Sequence, residues 1–234
     1  MIEIERILAP NPGPLTLTGT NTWVVGRDPA WVVDPGPVID AHLDAVAAAV
    51  AERGGAGGIA LTHRHADHSE GVDALRERLG GTVALGSFDN VLEGHTFGPF
   101  DVLYIPGHAD DHLVFVAGSA AFTGDTVLGQ GSVFVSGRLR EYLDGLRRLR
   151  ALELELILPG HGDPVTDPAA KLDQYLAHRA DRERKLLAAL ASGASTEDEL
   201  LDAAWDDAPP EVRQFAAISM RTHMEKLREE GLAP

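Results

Sequence analysis

The sequence predicts an α/β fold: one sizeable domain over residues 1–167, followed by a small all-helical unit over 168–234. Three observations predict it. An apolar strand, a Gly or Pro turn and then a His or Asp recur three times, ending at His108, Asp125 and His161. Between the strand-like runs lie helical spacings, such as Ile39, Leu43, Val46 and Val50, or Leu139, Leu143, Leu146 and Leu149. Beyond Pro168 the strand-like runs stop and three helices follow.

In chain order, residues 2–8 alternate apolar and charged and read as an outer strand. Residues 11–22 form a loop rich in turn formers. Trp23-Val24-Val25 and Trp31-Val32-Val33 read as paired strands around the turn at 26–29. Asp34-Pro35-Gly36 ends the second. Asp34 there is either a turn residue or an acid that orients a metal histidine. A helix capped near Asp40 stops at Gly54-Gly55. Residues 58–61 read as a buried strand, and Ser69 as the cap of a helix with Val72, Leu75 and Leu79 on its apolar side. Strands are expected at 82–85, starting from Thr82, and at 101–105, 113–116 and 154–158, with a helix over 138–150 before the last. In the tail, 171–190 reads as one long helix. Thr196-Glu197-Asp198-Glu199 has the capping-box pattern before a short helix reaching Trp205. Pro209-Pro210 opens a third, with Val212, Phe215, Ile218 and Met220 apolar. The apolar tail residues Trp205, Phe215 and Ile218 are expected to bury against the main domain and narrow a cleft there.

The chemistry concentrates in Thr62-His63-Arg64-His65-Ala66-Asp67-His68, where a strand end turns into a helix. That is the usual place for ligands in an α/β sheet. His63 and His65 are two apart, so on extended backbone they point the same way. Asp67 and His68 follow from the next turn and can face a second point. A single zinc takes three or four protein ligands. With His108 and His161 added there are too many for one ion.

Bulk properties set limits. The 234 residues carry no cysteine, so any metal is held by nitrogen and oxygen. The net charge of −16 disfavours nucleic-acid partners, and in the tail no basic footprint for DNA is present. The N-terminus has no basic start followed by a long apolar run, and no stretch approaches a membrane span. A cytoplasmic protein is therefore expected.

The sequence resembles the metallo-β-lactamase fold superfamily. The resemblance rests on residues 62–68, on His108 after Pro106-Gly107, on Gly124-Asp125, on Gly160-His161-Gly162 and on the early Asp34. More narrowly, it is similar to a group with a C-terminal winged-helix-like unit, through Asn11-Pro12-Gly13-Pro14, Gly19-Thr20-Asn21-Thr22, Pro106-Gly107-His108-Ala109-Asp110-Asp111-His112 and Phe122-Thr123-Gly124-Asp125-Thr126-Val127-Leu128-Gly129. That group includes a mitochondrial single-strand endoribonuclease and polyketide-releasing thioesterases. Glu70 departs from it, standing where glycine is common.

The resemblance implies an αβ/βα sandwich with metals at one rim. One metal is expected on His63, His65 and His108, a second on Asp67, His68 and His161, with Asp125 bridging. Zinc is the first expectation for both divalent ions, with manganese or iron also suited to nitrogen and oxygen donors. The reaction expected is hydrolysis by a bridging hydroxide, with Asp67 and Asp125 as catalytic carboxylates, first of all on a thioester or related acyl substrate that is small or carrier-bound. The competing readings are a single-strand endoribonuclease, which the charge disfavours, and a metal-binding module without catalysis. His112 reads as a strand-start core histidine or, second, a substrate contact.

Overall fold

The computed structural model describes residues 2–81 and 83–234. Among them, ten strands form two five-stranded sheets. The first sheet runs in the order β1 (Ile4–Leu8), β2 (Asn21–Val25), β3 (Ala30–Val33), β4 (Ala56–Ala60) and β5 (Ala84–Gly86). The second runs β10 (Leu156–Pro159), β9 (Ala120–Gly124), β8 (Leu113–Ala117), β7 (Phe100–Tyr104) and β6 (Thr96–Phe97). Strands β3, β4 and β5 are parallel neighbours, linked by α1 (Asp40–Ala51) and by α2 (Ala66–Ser69) with α3 (Val72–Arg78). Strands β9 and β10 are parallel through α4 (Leu139–Ala151), and β7, β8 and β9 form an antiparallel meander.

Both faces of each central strand are covered, and the two-residue period of a strand divides its side chains between them. In β8, Leu113, Phe115 and Ala117 enter the core between the sheets, while Val114 and Val116 enter the core beneath α4. In β2, Trp23 and Val25 face the other sheet and Val24 faces α1. Trp23, Phe100, Phe115 and Phe122 fill the sandwich interior with edge-to-face ring contacts. The expected α/β sandwich with a helical tail is therefore the fold observed.

Local differences from the sequence reading have local causes. Ser69 is not a cap. The chain is already helical from Ala66, and the Ser69 hydroxyl donates back to the carbonyls of Arg64 and His65. Gly71 instead precedes α3. Asp40 is the first residue of α1, and no side chain caps that helix. The expected strand start at Thr82 lies outside the described residues, and β5 begins at Ala84.

The tail comprises α5 (Pro168–Ala191), α6 (Glu197–Ala204), a single 3-10 turn (Pro210–Val212) and α7 (Arg213–Glu229), with no strand among its described residues. Asp167 caps α5 by accepting the Ala170 N–H at 3.0 Å. The capping box at Thr196 and Glu199 is formed. Trp205 does not dock on the main domain. It is buried in the tail's own core with Leu186, Leu201, Met220 and Met224. Docking falls to α7: Phe215 packs on Phe134 with ring centroids 5.3 Å apart, and Ser219 Oγ accepts the Val135 N–H at 2.9 Å.

The sandwich interior generates a stability test. Replacing Phe122 by Ala should cost about 3–5 kcal/mol in chemical denaturation, the usual range for an emptied aromatic site. Leu92→Ala, at a side chain 61% exposed, should change stability by about 0.5 kcal/mol or less. Equal costs at the two positions would contradict the packing described.

Candidate metal centre

Each rim residue follows the carboxyl end of a strand. Asp34 follows β3, His63 and His65 follow β4, His108 follows β7, Asp125 follows β9 and His161 follows β10. Asp67 and His68 sit in α2. Two glycines allow the close approach. At Gly124, φ is +45° and a Cβ would lie 2.5 Å from Thr62 Oγ1. At Gly160 a Cβ would lie 2.6 Å from His68 Cε1 and 2.7 Å from Asp125 Oδ1.

The structure brings all seven expected ligands together. The donor atoms of His63, His65 and His108 lie within 4.8 Å of one another, as do those of Asp67, His68 and His161. His65 Nδ1 is 3.0 Å from His63 Nε2 and 2.9 Å from His108 Nε2. His161 Nε2 is 3.1 Å from Asp67 Oδ2 and 3.3 Å from His68 Nε2. Asp125 lies between the groups. Its Oδ2 is 3.5 Å from His108 Nε2, and its Oδ1 is 3.5 Å from both His68 Nε2 and His161 Nε2.

The far sides of the rings explain how they are aimed. His108 Nδ1 meets the Phe134 carbonyl and His161 Nδ1 the Gly19 carbonyl, each at 3.2 Å. Both are acceptors, so each Nδ1 carries a proton and each Nε2 is the nitrogen turned to the centre. Asp34 is 1% exposed and aims the others. It accepts from the Thr62 N–H and the Thr62 hydroxyl, both at 2.8 Å, and meets His68 Nδ1 at 2.9 Å. The Thr62 hydroxyl, spent on Asp34, is left to accept from His63 Nδ1 at 3.0 Å. Asp34 thus orients His68 directly and His63 through Thr62. His112 is fully buried. Its Nε2 accepts the Asp125 N–H at 3.1 Å and its ring stacks on His63 at 4.6 Å, so it positions neighbours and lines no open surface.

The electrostatics call for cationic charge. Burial opposes ionisation of Asp125, yet His68 and His161 outweigh it and hold the carboxyl well below the usual carboxylate range. Burial likewise opposes protonation of His161, but Asp125 and Asp67 push it up to about 10. His63, with burial dominant, is held well below the ordinary imidazole value. Asp125 Oδ1 is buried without a hydrogen-bond partner. Crowded carboxylates, converging imidazole nitrogens and an orphaned carboxylate oxygen fit divalent cations held by nitrogen and oxygen.

A cleft of about 320 Å3 opens on His65, Asp67, His108, Asp125 and His161. Leu15 and Leu17 wall it from the early loop, Phe134 from the segment after β9, and Val212, Phe215 and Ile218 from the tail. Sequence reasoning named the tail residues but missed Leu15, Leu17 and Phe134, which show no periodicity. It also missed Asn21, which is fully buried and donates from Nδ2 to the Pro159 and Gly162 carbonyls at 2.9 and 2.8 Å, fixing the turn that carries His161. Its signal was an amide at a strand start, where a β-former is expected.

No family model matches the chain. The beta-lactamase-like protein 2 homolog of Caenorhabditis elegans is 29% identical over 98% of this chain and 85% of its own length. The atrochrysone carboxyl ACP thioesterase of Aspergillus fumigatus is 31% identical over 96% of this chain and 81% of its own. A metallo-β-lactamase family protein from Thermus thermophilus matches with a TM-score of 0.73 and 25% identity, over 97% of this chain and 94% of that one. Sequence shared along nearly the whole length, tail included, makes this chain a member of the metallo-β-lactamase superfamily and a metal-dependent hydrolase.

Proposed function

We propose that the chain hydrolyses a thioester or related acyl substrate at a dinuclear metal centre, with a catalytic domain over 1–167 and a C-terminal unit over 168–234 that walls the cleft. The apolar cleft carries this reading. Away from the metal-facing groups its walls are mostly leucine, valine, isoleucine and phenylalanine, with Gln130, Ser132 and Ser136 the polar side chains, and among the described residues neither lysine nor arginine lines it. Such a surface suits an acyl chain and offers no side-chain cation along which a phosphate backbone could run. A relative named as an acyl-carrier thioesterase supports the same substrate class.

His63, His65 and His108 would hold one ion and Asp67, His68 and His161 the other, with Asp125 shared. Zinc fits this donor set, as do manganese and iron. Two divalent ions there would supply an ionised water at neutral pH and a Lewis acid for the developing oxyanion. The chain's own residues do the rest. Asp67 Oδ2 faces His161, which leaves the other oxygen to take the proton of the attacking water. Asp125, anchored through its N–H on His112, keeps both half-sites in register. Phe134, Phe215 and Ile218 pack the acyl body and exclude water.

Three outcomes are expected. Elemental analysis of purified protein should give two metals per chain, and Asp125→Ala should lose most of one together with nearly all hydrolysis. Full activity in Asp125→Ala would refute the shared-ligand model. Asp34→Ala should weaken metal affinity by roughly 10–100-fold, as loss of a ligand-orienting carboxylate does, without removing a ligand. The substrate is tested by comparing acyl thioesters with labelled single-stranded RNA. Long-chain thioesters should be turned over, and Phe215→Ala with Ile218→Ser should cut kcat/KM for them far more than for an acetyl thioester. Turnover of RNA with no thioester cleavage would replace the acyl reading by the nuclease one.

A further inference from the structure

Residues 131–134 and Val212, which wall the metal cleft, also line a second cavity of about 350 Å3. Its other walls come from α5 and the tail, and they hold Arg179, Arg182, His178 and Trp205. Arg179 is 1% exposed. Its Nη2 donates to the Val133 carbonyl, its Nε has no partner, and no carboxylate pairs with it among the described residues. The Tyr142 ring, 5.5 Å from the guanidinium, eases the burial but brings no counter-charge. A buried cation without an anion is costly to the fold.

The neighbouring groups add donors. Arg182 Nε donates to His178 Nε2 at 3.2 Å. Burial, then Arg179 and Arg182, lowers the His178 pKa to about 4, so the ring is neutral. Its proton therefore sits on Nδ1, which is buried and unpartnered. Arg182 is matched by Asp207, which accepts from Nη2 at 2.6 and 2.8 Å. Two guanidinium groups and one carboxylate leave one positive charge over. Trp205, beneath the Arg182 guanidinium at 5.1 Å, gives the cavity an apolar, flat wall, and Phe134 and Pro209 extend it.

We propose that this cavity is a binding site for a small organic anion, a carboxylate or a phosphate carried on an apolar body. Guanidinium groups favour both oxyanions, and the aromatic wall favours the body. The site is separate from the metal ligands and does not depend on which substrate they hydrolyse.

Isothermal titration of metal-loaded, full-length protein tests it, with phenyl phosphate, benzoate and neutral benzyl alcohol as probes. At least one of the two anions should bind, and whichever does identifies the oxyanion; benzyl alcohol should not. Arg179→Met should weaken that binding roughly tenfold or more, the worth of a charge-assisted contact. Asp207→Asn removes the competing carboxylate and should tighten it severalfold. That gain cannot come from misfolding, so it decides the matter if Arg179→Met is unstable. The proposal is overturned if neither anion binds, if benzyl alcohol binds equally, if Asp207→Asn weakens binding, or if it leaves the affinity unchanged, which would put the anion on the metal cleft.

Discussion

The buried carboxylate of Asp34 is the constraint on which the rim depends. Its backbone sits at φ +53°, a region that disfavours residues with a side chain, and it is almost wholly out of water. Such a residue persists only where the surroundings hold it. Here the Thr62 N–H, the Thr62 hydroxyl and His68 do so, and they join the end of β3 to the end of β4 and to α2. The same contacts set which nitrogen of His63 and His68 faces the metal centre. A mobile or flipped imidazole would present an N–H where a lone pair is needed. The acid therefore acts on chemistry that it does not touch.

Much of this was legible in the sequence. Apolar runs ending in Gly or Pro followed by His or Asp located β7, β9 and β10 and the residues at their ends, and the histidine cluster after residues 58–61 located the end of β4. Helical spacing located α1 and α4, and the capping box at Thr196 and Pro209-Pro210 located the start of the last two tail helices. These signals are local, and local signals survive folding when the tertiary structure agrees with them. What was not legible depends on contacts distant in sequence. The start of α2 at Ala66 could not be read from Ser69, because the serine hydroxyl satisfies carbonyls behind it instead of amides ahead. Trp205 could not be placed because an apolar side chain does not say which of two cores it enters. Leu15, Leu17 and Phe134 lie on irregular segments, where no period marks a face, so their convergence on one cleft is visible only in three dimensions.

The segment around Val133 is where the tail meets the sandwich. Val135 bonds Ser219 of α7, Phe134 stacks on Phe215, and the Val133 carbonyl takes Arg179 of α5. Phe134 also borders the metal cleft, and its carbonyl holds His108. One short irregular strip thus connects the His108 imidazole, the apolar wall of the cleft and the cavity that holds Arg179. A strip of backbone fixed on both sides has little freedom to move one neighbour without the other.

The turn carrying His161 is joined to the early loop and strand across almost the whole sandwich. Asn21 donates to the carbonyls of Pro159 and Gly162, Thr20 forms a bridge with His161, and Arg6 pairs with Asp163. These partners are separated by 138 to 157 residues along the chain. Closing so long a loop costs entropy that is recovered only once both ends are in place. The seven-residue rim is therefore complete only when both ends of the chain are in place. An unfolded chain offers a cation only scattered imidazoles, with the local cluster at 63–68 the densest of them. A cation held by the complete rim would therefore stabilise the closed sandwich by mass action.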